Sequence, residues 1–277
     1  MRDFYNGFLE YIKFILYGII QGLTEFIPVS STAHLKVISN LIGIEDPGQS
    51  LSAIIQIGSV LAIFWYFKKD IFTFKNRTSK INFNSFFKSK LSKSIFIGTI
   101  PIIFLGGFIK LFIPNFFNTV FRSNLSIAIM SFVMAFFMYL ADISENKFIN
   151  IKNHTFLNSL LIGFSQAFAI IPGVSRSGVT ISTALLSGWE RRDAAKFSFL
   201  LGIPAISLAA IVEFMFSINR IFIYNLFPLI FGLITTFLSS LLAIDFLLKH
   251  LSKRGMKLFI YYRIIFAIFI LFNLREL

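Results

Sequence analysis

The sequence predicts an all-α polytopic membrane protein, built as an inverted repeat of six full transmembrane helices plus two re-entrant helix pairs. Three observations predict it. First, 56% of the 277 residues are hydrophobic and only 14% are charged, with a mean hydropathy of +0.78. A soluble domain of this length carries more charge, and a chain this apolar reads as membrane helices. Second, two apolar runs stop at proline, Pro28 and Pro172, and each is followed by a hydroxyl-rich cluster that opens a short helix. Third, each broken pair is followed by three long apolar segments.

Taken in order, residues 8–27 are apolar and end at Pro28. Asp3 and Glu10 interrupt this start, and no small-residue cleavage site follows, so it does not read as a cleaved signal. Residues 31–42 form a short second helix, with Ser30-Ser31-Thr32 as its N-cap signal. It is too short for a bilayer that needs roughly 20 residues. The pair is therefore expected to dip in and return, closed by the loop Gly43 to Gly48. Residues 51–67, 94–113 and 123–141 are expected to span, the second broken by Pro101 and softened by Gly106-Gly107. The pattern then repeats. Residues 156–171 stop at Pro172-Gly173, and residues 177–188 form a short helix opening at Ser175-Arg176-Ser177. Three spans follow at 197–216, 226–248 and 258–274. The chain is one membrane domain, with repeats at about 1–145 and 150–277. An odd number of full spans per half inverts the second half, and sites in such folds lie where the broken helices meet.

Charge fixes an orientation. The loops at 68–93, 141–155, 189–196 and 249–257 share one side and hold most of the 26 Lys and Arg. The opposite side holds only Arg2, Arg122, Arg220 and Arg275. The basic side is cytoplasmic by the positive-inside rule. The net charge of +13 thus reports topology. It does not suggest nucleic-acid binding, because the basic residues lie in separate loops. The absence of Cys excludes disulfides, thiolate metal sites and cysteine nucleophiles.

Chemistry concentrates at the two breaks. Gln21 and Glu25 share a helix face, as do Ser31 and His34 on the next helix, with Ser30 one turn before His34. The turn at Pro28 brings the two faces together. Such oxygens suit a hard divalent cation, Mg²⁺ or Ca²⁺, held by Glu25 with Gln21. The imidazole can act as base or nucleophile. The second break reads as an anion cradle. Gly173 and Gly178 admit close backbone approach, Ser175, Ser177 and Thr180 offer hydroxyls, and Arg176 offers a fork suited to phosphate. Both helix starts present free N–H groups and positive dipole ends. The expected guest is a multiply charged phosphate ester at the edge of a lipid phase. A transporter or flippase of such an anion fits the same layout. Ser39, Ser59, Thr99, Ser207 and Ser239 read as packing hydroxyls. Gln56 and Gln166 are open between packing and site lining. Asp245, Glu213, Lys110 and Arg263 read as helix-end or interhelical pairs, and His154 and His250 as solvated.

The stretches Gln21-Gly-Leu-Thr-Glu-Phe-Ile-Pro-Val-Ser-Ser-Thr-Ala-His-Leu35 and Pro172-Gly-Val-Ser-Arg-Ser-Gly-Val-Thr180 resemble the motifs of the undecaprenyl-diphosphate phosphatase family, the bacitracin-resistance type. The resemblance runs over essentially the whole chain. It implies hydrolysis of undecaprenyl diphosphate to the monophosphate and phosphate, recycling the lipid carrier for peptidoglycan synthesis. It also implies a homodimer in the bacterial cytoplasmic (inner) membrane, a site facing the periplasm, and dependence on Mg²⁺ or Ca²⁺. By the same resemblance Glu25, Ser31, His34 and Arg176 are catalytic, and Ser30, Ser175, Ser177, Thr180, Gly173 and Gly178 bind substrate. Gln21 stands where many members carry glutamate. Whether water, Ser31 or His34 attacks stays open at this stage.

Overall fold

The computed structural model describes residues 2–43, 48–71, 89–114, 120–144, 148–221 and 226–273. The helices are α1 (Arg2–Phe26), α2 (Ser31–Leu41), α3 (Gly48–Tyr66), α4 (Lys90–Phe112), α5 (Asn124–Ile143), α6 (Phe156–Ala167), α7 (Arg176–Leu186), α8 (Arg191–Ile221), α9 (Leu226–Arg254) and α10 (Lys257–Asn273). A 3-10 turn, Phe168–Ile170, extends α6, and one helical turn, Lys68–Ile71, follows α3. Among the described residues, β pairing is confined to the bridge between Ile149 and Trp189. The centre of the loop at 68–93, residues 44–47 of the Gly43 loop, and residues 145–147 lie outside the described residues.

Among the described residues, four helices are long and apolar enough to cross a membrane: Lys90–Phe112, Asn124–Ile143, Arg191–Val212 and Leu226–Arg254. Their starts follow local rules. The hydroxyls of Ser89 and Ser123 accept from the amides of Ser92 and Ser126, and Thr155 with Asn158 forms a capping box. One expected break is absent, since α4 runs unbroken through Pro101. The ring removes one helical hydrogen bond, but Pro101 is buried in a helix held by its neighbours. Such prolines are tolerated in packed membrane helices.

Small residues allow close helix crossings. Gly18 and Gly22 of α1 face Thr235, Thr236, Ser239 and Ser240 of α9, and the Ser239 hydroxyl donates to Gly18 O at 3.2 Å. Gly163 of α6 backs onto Gly98 of α4. Small side chains are what let apolar helices approach this closely in lipid. Two of the expected packing hydroxyls do pack: Ser59 meets Ser240 at 3.0 Å, and Thr99 bonds Ile95 O at 2.7 Å. Further contacts join α3 to α8 and α9, and α5 to α10. The largest apolar cluster gathers Phe26, Ile63, Phe67, Phe197, Phe199 and Trp189.

The described parts of the four basic loops meet at one end. Arg191 pairs with Asp142, Lys196 bonds Asp70 at 2.5 Å, and Ile151 N donates to Asp193 at 2.9 Å. Gly255 lies against Arg191 and Asp142. His154 is not solvated here. It is buried, its Nδ1–H donates to Ile151 O at 2.8 Å, and its Nε2 accepts from Ser94 at 2.7 Å. Burial pushes its pKa down, opposed by the bond to Ile151. The reason is packing: Trp189 and Phe197 close over the ring.

The short helices point away from each other. α7 ends at the basic end, where Gly188 O accepts from Phe148 N and Ile149 N. α2 ends at the opposite end, where Asn40 and Leu41 line a small cavity together with Asn124 of α5 and Asn273 of α10. Their N-termini therefore face each other in the interior.

Candidate active site

Each of those N-termini begins on a serine with positive φ: Ser30 at φ 77°, ψ 99°, and Ser175 at φ 71°, ψ 115°. A non-glycine residue there costs about 1–3 kcal/mol and persists only where its surroundings hold it. Ser175 is held locally, since its Oγ accepts from Gly178 N at 3.2 Å. Ser30 does not cap its own helix. Its Oγ crosses to the other loop and accepts from Gly173 N at 3.2 Å, while Ser30 O accepts from His34 Nδ1–H at 2.8 Å. The two breaks are thus tied to one another.

Glu25 sits where they meet. Arg176 donates to its Oε1 from Nη2 at 3.3 Å and from Nε at 3.4 Å. Ser31 Oγ and Gln21 Nε2 donate to its Oε2 at 2.8 and 2.9 Å. Arg176 also donates from Nη1 to Ser198 O at 3.0 Å. Both members of the ion pair are nearly enclosed, with side chains 9% and 6% exposed. A cavity of about 260 Å³ opens beside them. One wall is polar: Glu25, Ser30, Ser31, Gln56, Ser175 and Arg176. The other is apolar: Ile102 of α4, Ile170 and Ile171 after α6, and Ala205, Ile206 and Ala209 of α8.

The structure brings five of the expected residues, Glu25, Ser30, Ser31, Ser175 and Arg176, to that cavity. The others stand behind it. Gln21 is buried with its amide oxygen unpartnered. Ser177 Oγ donates to Glu25 O at 3.3 Å, and Thr180 Oγ1 donates to Arg176 O at 2.7 Å and lies 2.5 Å from Ser198 Oγ. Gly173 (φ 95°) and Gly178 shape the second loop. His34 is not among the cavity's lining residues. It is buried, stacked on Phe266, with Nε2 accepting from Tyr262 OH at 2.7 Å. Gln56 lines the cavity, while Gln166 is buried with both amide atoms unpartnered.

Two residues were missed by the sequence reading. Arg263 is no helix-end pair: it is fully buried and donates to Pro28 O at 3.1 Å, to Gly173 O, and to Ser131 O at 3.4 Å. Its place inside the apolar segment 258–274 was the available signal, since a charge within a membrane span is functional by default. Gly202 of α8 lies under Arg176, where a Cβ would stand 2.6 Å from Cζ. Asp245, in contrast, does pair near a helix end, with Lys249 at 2.6 Å.

A divalent cation can be tested against this donor set. Among the described residues no three His, Asp or Glu side chains converge. Glu25 is the carboxylate on hand, and the buried, unpartnered Gln21 oxygen is one helical turn away. That set fits Mg²⁺ bound in its usual way, through one or two carboxylates plus substrate phosphate oxygens.

Fold and site together define a polytopic helical membrane protein with a charged, hydroxyl-rich cavity at the meeting point of two helix N-termini. Within that class, the chain belongs to the family described as bacitracin resistance protein BacA, whose pattern matches residues 14–269. Relatives named undecaprenyl-diphosphatase are similar over nearly their full length. The protein of Prochlorococcus marinus strain MIT 9515 is 68% identical over 266 residues, covering 96% of this chain and 100% of the relative. That of strain AS9601 is 69% identical, covering 99% of each. That of strain MIT 9303 is 42% identical, covering 93% and 89%.

Proposed function

We propose that this cavity hydrolyses the phosphoanhydride of undecaprenyl diphosphate, giving undecaprenyl phosphate and inorganic phosphate. As a member of its family the chain is a membrane hydrolase that returns lipid carrier to peptidoglycan synthesis, the activity behind bacitracin resistance. The observation that carries this reading is the Arg176–Glu25 pair, held beside two helix starts in a cavity with one charged and one apolar wall. Such a cavity suits a diphosphate joined to a hydrocarbon chain.

The proposed roles follow from the contacts. Arg176 moves from Glu25 to the terminal phosphoryl oxygens, joined by the first-turn amides of α7. Glu25, released, takes a proton from the attacking hydroxyl. Ser31, which already donates to it at 2.8 Å, is the best-placed nucleophile. Attack by Ser31 Oγ forms a phosphoseryl ester and releases undecaprenyl phosphate; water then returns the serine and yields phosphate. His34 holds the Ser30 turn and so positions Ser31. Glu25 and Gln21 would hold Mg²⁺ or Ca²⁺ together with substrate phosphate oxygens, and the cation would then neutralise charge on the diphosphate.

The proposal includes six spans and two re-entrant pairs arranged as an inverted repeat. An exchange of partners supports it: α1 packs on α9 as α6 packs on α4. It includes a homodimer in the cytoplasmic membrane, with the basic end inside and the site open to the periplasm.

The test is phosphate release from undecaprenyl diphosphate by purified protein in detergent, with Mg²⁺, Ca²⁺ or a chelator. Release should depend on the cation, and Arg176→Ala should reduce it by about 10³-fold or more in folded protein. A variant that keeps near-normal turnover removes Arg176 from the chemistry. No release by folded wild-type protein under any of these conditions points to a transporter or flippase.

A further inference from the structure

Arg263 lies outside every role assigned above, yet it touches both breaks. It rises from α10 as a fully buried side chain. Its Nη1 donates to Pro28 O at 3.1 Å and its Nη2 to Gly173 O. Those carbonyls hold equivalent places, each two residues before a positive-φ serine, Ser30 in one loop and Ser175 in the other. Nε reaches a third carbonyl, Ser131 O of α5, at 3.4 Å. No carboxylate is among these partners. A planar guanidinium presents donors in a fixed fork, so it can meet several fixed acceptors at once.

The bonds close a ring. Arg263 takes Gly173 O, Gly173 N donates to Ser30 Oγ, and Ser30 is two residues from Pro28, whose carbonyl returns to Arg263. Next to Ser30 is Ser31, and next to Ser175 is Arg176, the two groups that meet on Glu25. The preceding residue of α10, Tyr262, bonds His34, which in turn holds Ser30 O. One helix therefore grips the first loop twice and the second once.

We propose that Arg263 is a positioning residue: its guanidinium clasps the two breaks and sets the register of Ser31 and Arg176 about Glu25. Its charge, carried behind both loops, also adds positive potential where an anionic headgroup binds. The catalytic part of this rests on the phosphatase reading; the clasp itself does not.

Arg263→Lys and Arg263→Met separate the two contributions. Lysine keeps the charge but offers a single ammonium, which cannot span carbonyls from three segments. Arg263→Lys should lose about 30-fold or more in kcat with KM changed less than about threefold, because a displacement of about 1 Å at a reacting group costs that order of rate. Arg263→Met should lose the same kcat and raise KM as well. Amide hydrogen exchange at 27–31 and 171–177 should quicken in both variants. Normal kcat with unchanged exchange in Arg263→Lys overturns the proposal. Should neither variant fold, wild-type exchange decides: the clasp requires the two loops to open in one cooperative step, and distinct opening rates refute it. If wild-type protein releases no phosphate, the phosphatase reading fails while the exchange data still test the clasp.

Discussion

Glu25 is a carboxylate with three side chains on it, and this governs what a neighbouring residue can add. Gln21 spends its amide N–H on Glu25 and leaves its oxygen unpartnered. An unsatisfied buried oxygen is costly unless something else uses it. Gln21→Glu places a second negative charge one helical turn away. Without a cation the two carboxylates repel; with one, both can bind it. The half-saturating Mg²⁺ concentration for phosphate release should fall about tenfold, since ligand charge sets affinity at such sites. Mn²⁺ bound to the substrate-free variant should be detectable by electron paramagnetic resonance. An unchanged titration together with no added Mn²⁺ signal removes position 21 from the metal site. At this scale the sequence displayed residue types but not pairings. Gln21, Glu25 and Ser31 were legible because helical spacing puts them on adjoining faces. The place of His34 was not, because its partners Tyr262 and Phe266 are far along the chain.

Elements decide whether Arg176 can reach Glu25 at all. α7 starts at Arg176, and α8 passes beneath it with Gly202 at the crossing. A methyl at Gly202 would collide with the guanidinium, whose Nη1 is fixed on Ser198 O of the same helix. Alanine favours a helix more than glycine does, by about 1 kcal/mol. Gly202→Ala should therefore leave the fold intact while displacing Arg176, and phosphate release should drop about 100-fold with little change in melting temperature. Full activity in that variant shows that Arg176 need not occupy this position. Both breaks were readable from proline followed by serine and threonine. Their positive-φ serines were not, since the capping rule expects an extended N-cap. Ser30 departs from it because its hydroxyl serves the opposite loop. Pro101 misled for the converse reason: proline signals a break locally, and packing by the neighbouring helices overrode it.

At the scale of the molecule, the cavity has a charged wall from the breaks and an apolar wall from α4, α8 and the turn after α6. Ala209 belongs to the apolar wall and is itself exposed, between the exposed apolar side chains Leu208 and Ile211 of α8. The apolar wall thus runs from the Arg176–Glu25 pair to the face that lipid would cover. A diphosphate seated on Arg176 would send its hydrocarbon chain along this wall. The small side chains of Ala205 and Ala209 leave it room. Ala209→Trp should fill that lane and raise KM for undecaprenyl diphosphate about tenfold, equivalent to losing contact on about two buried CH₂ groups. Inorganic pyrophosphate has the headgroup and no chain, so its inhibition constant against the same substrate should stay within about twofold, the charged wall being untouched. If both values rise together, the substitution has disturbed the headgroup site. If neither moves, the chain leaves the cavity by another route.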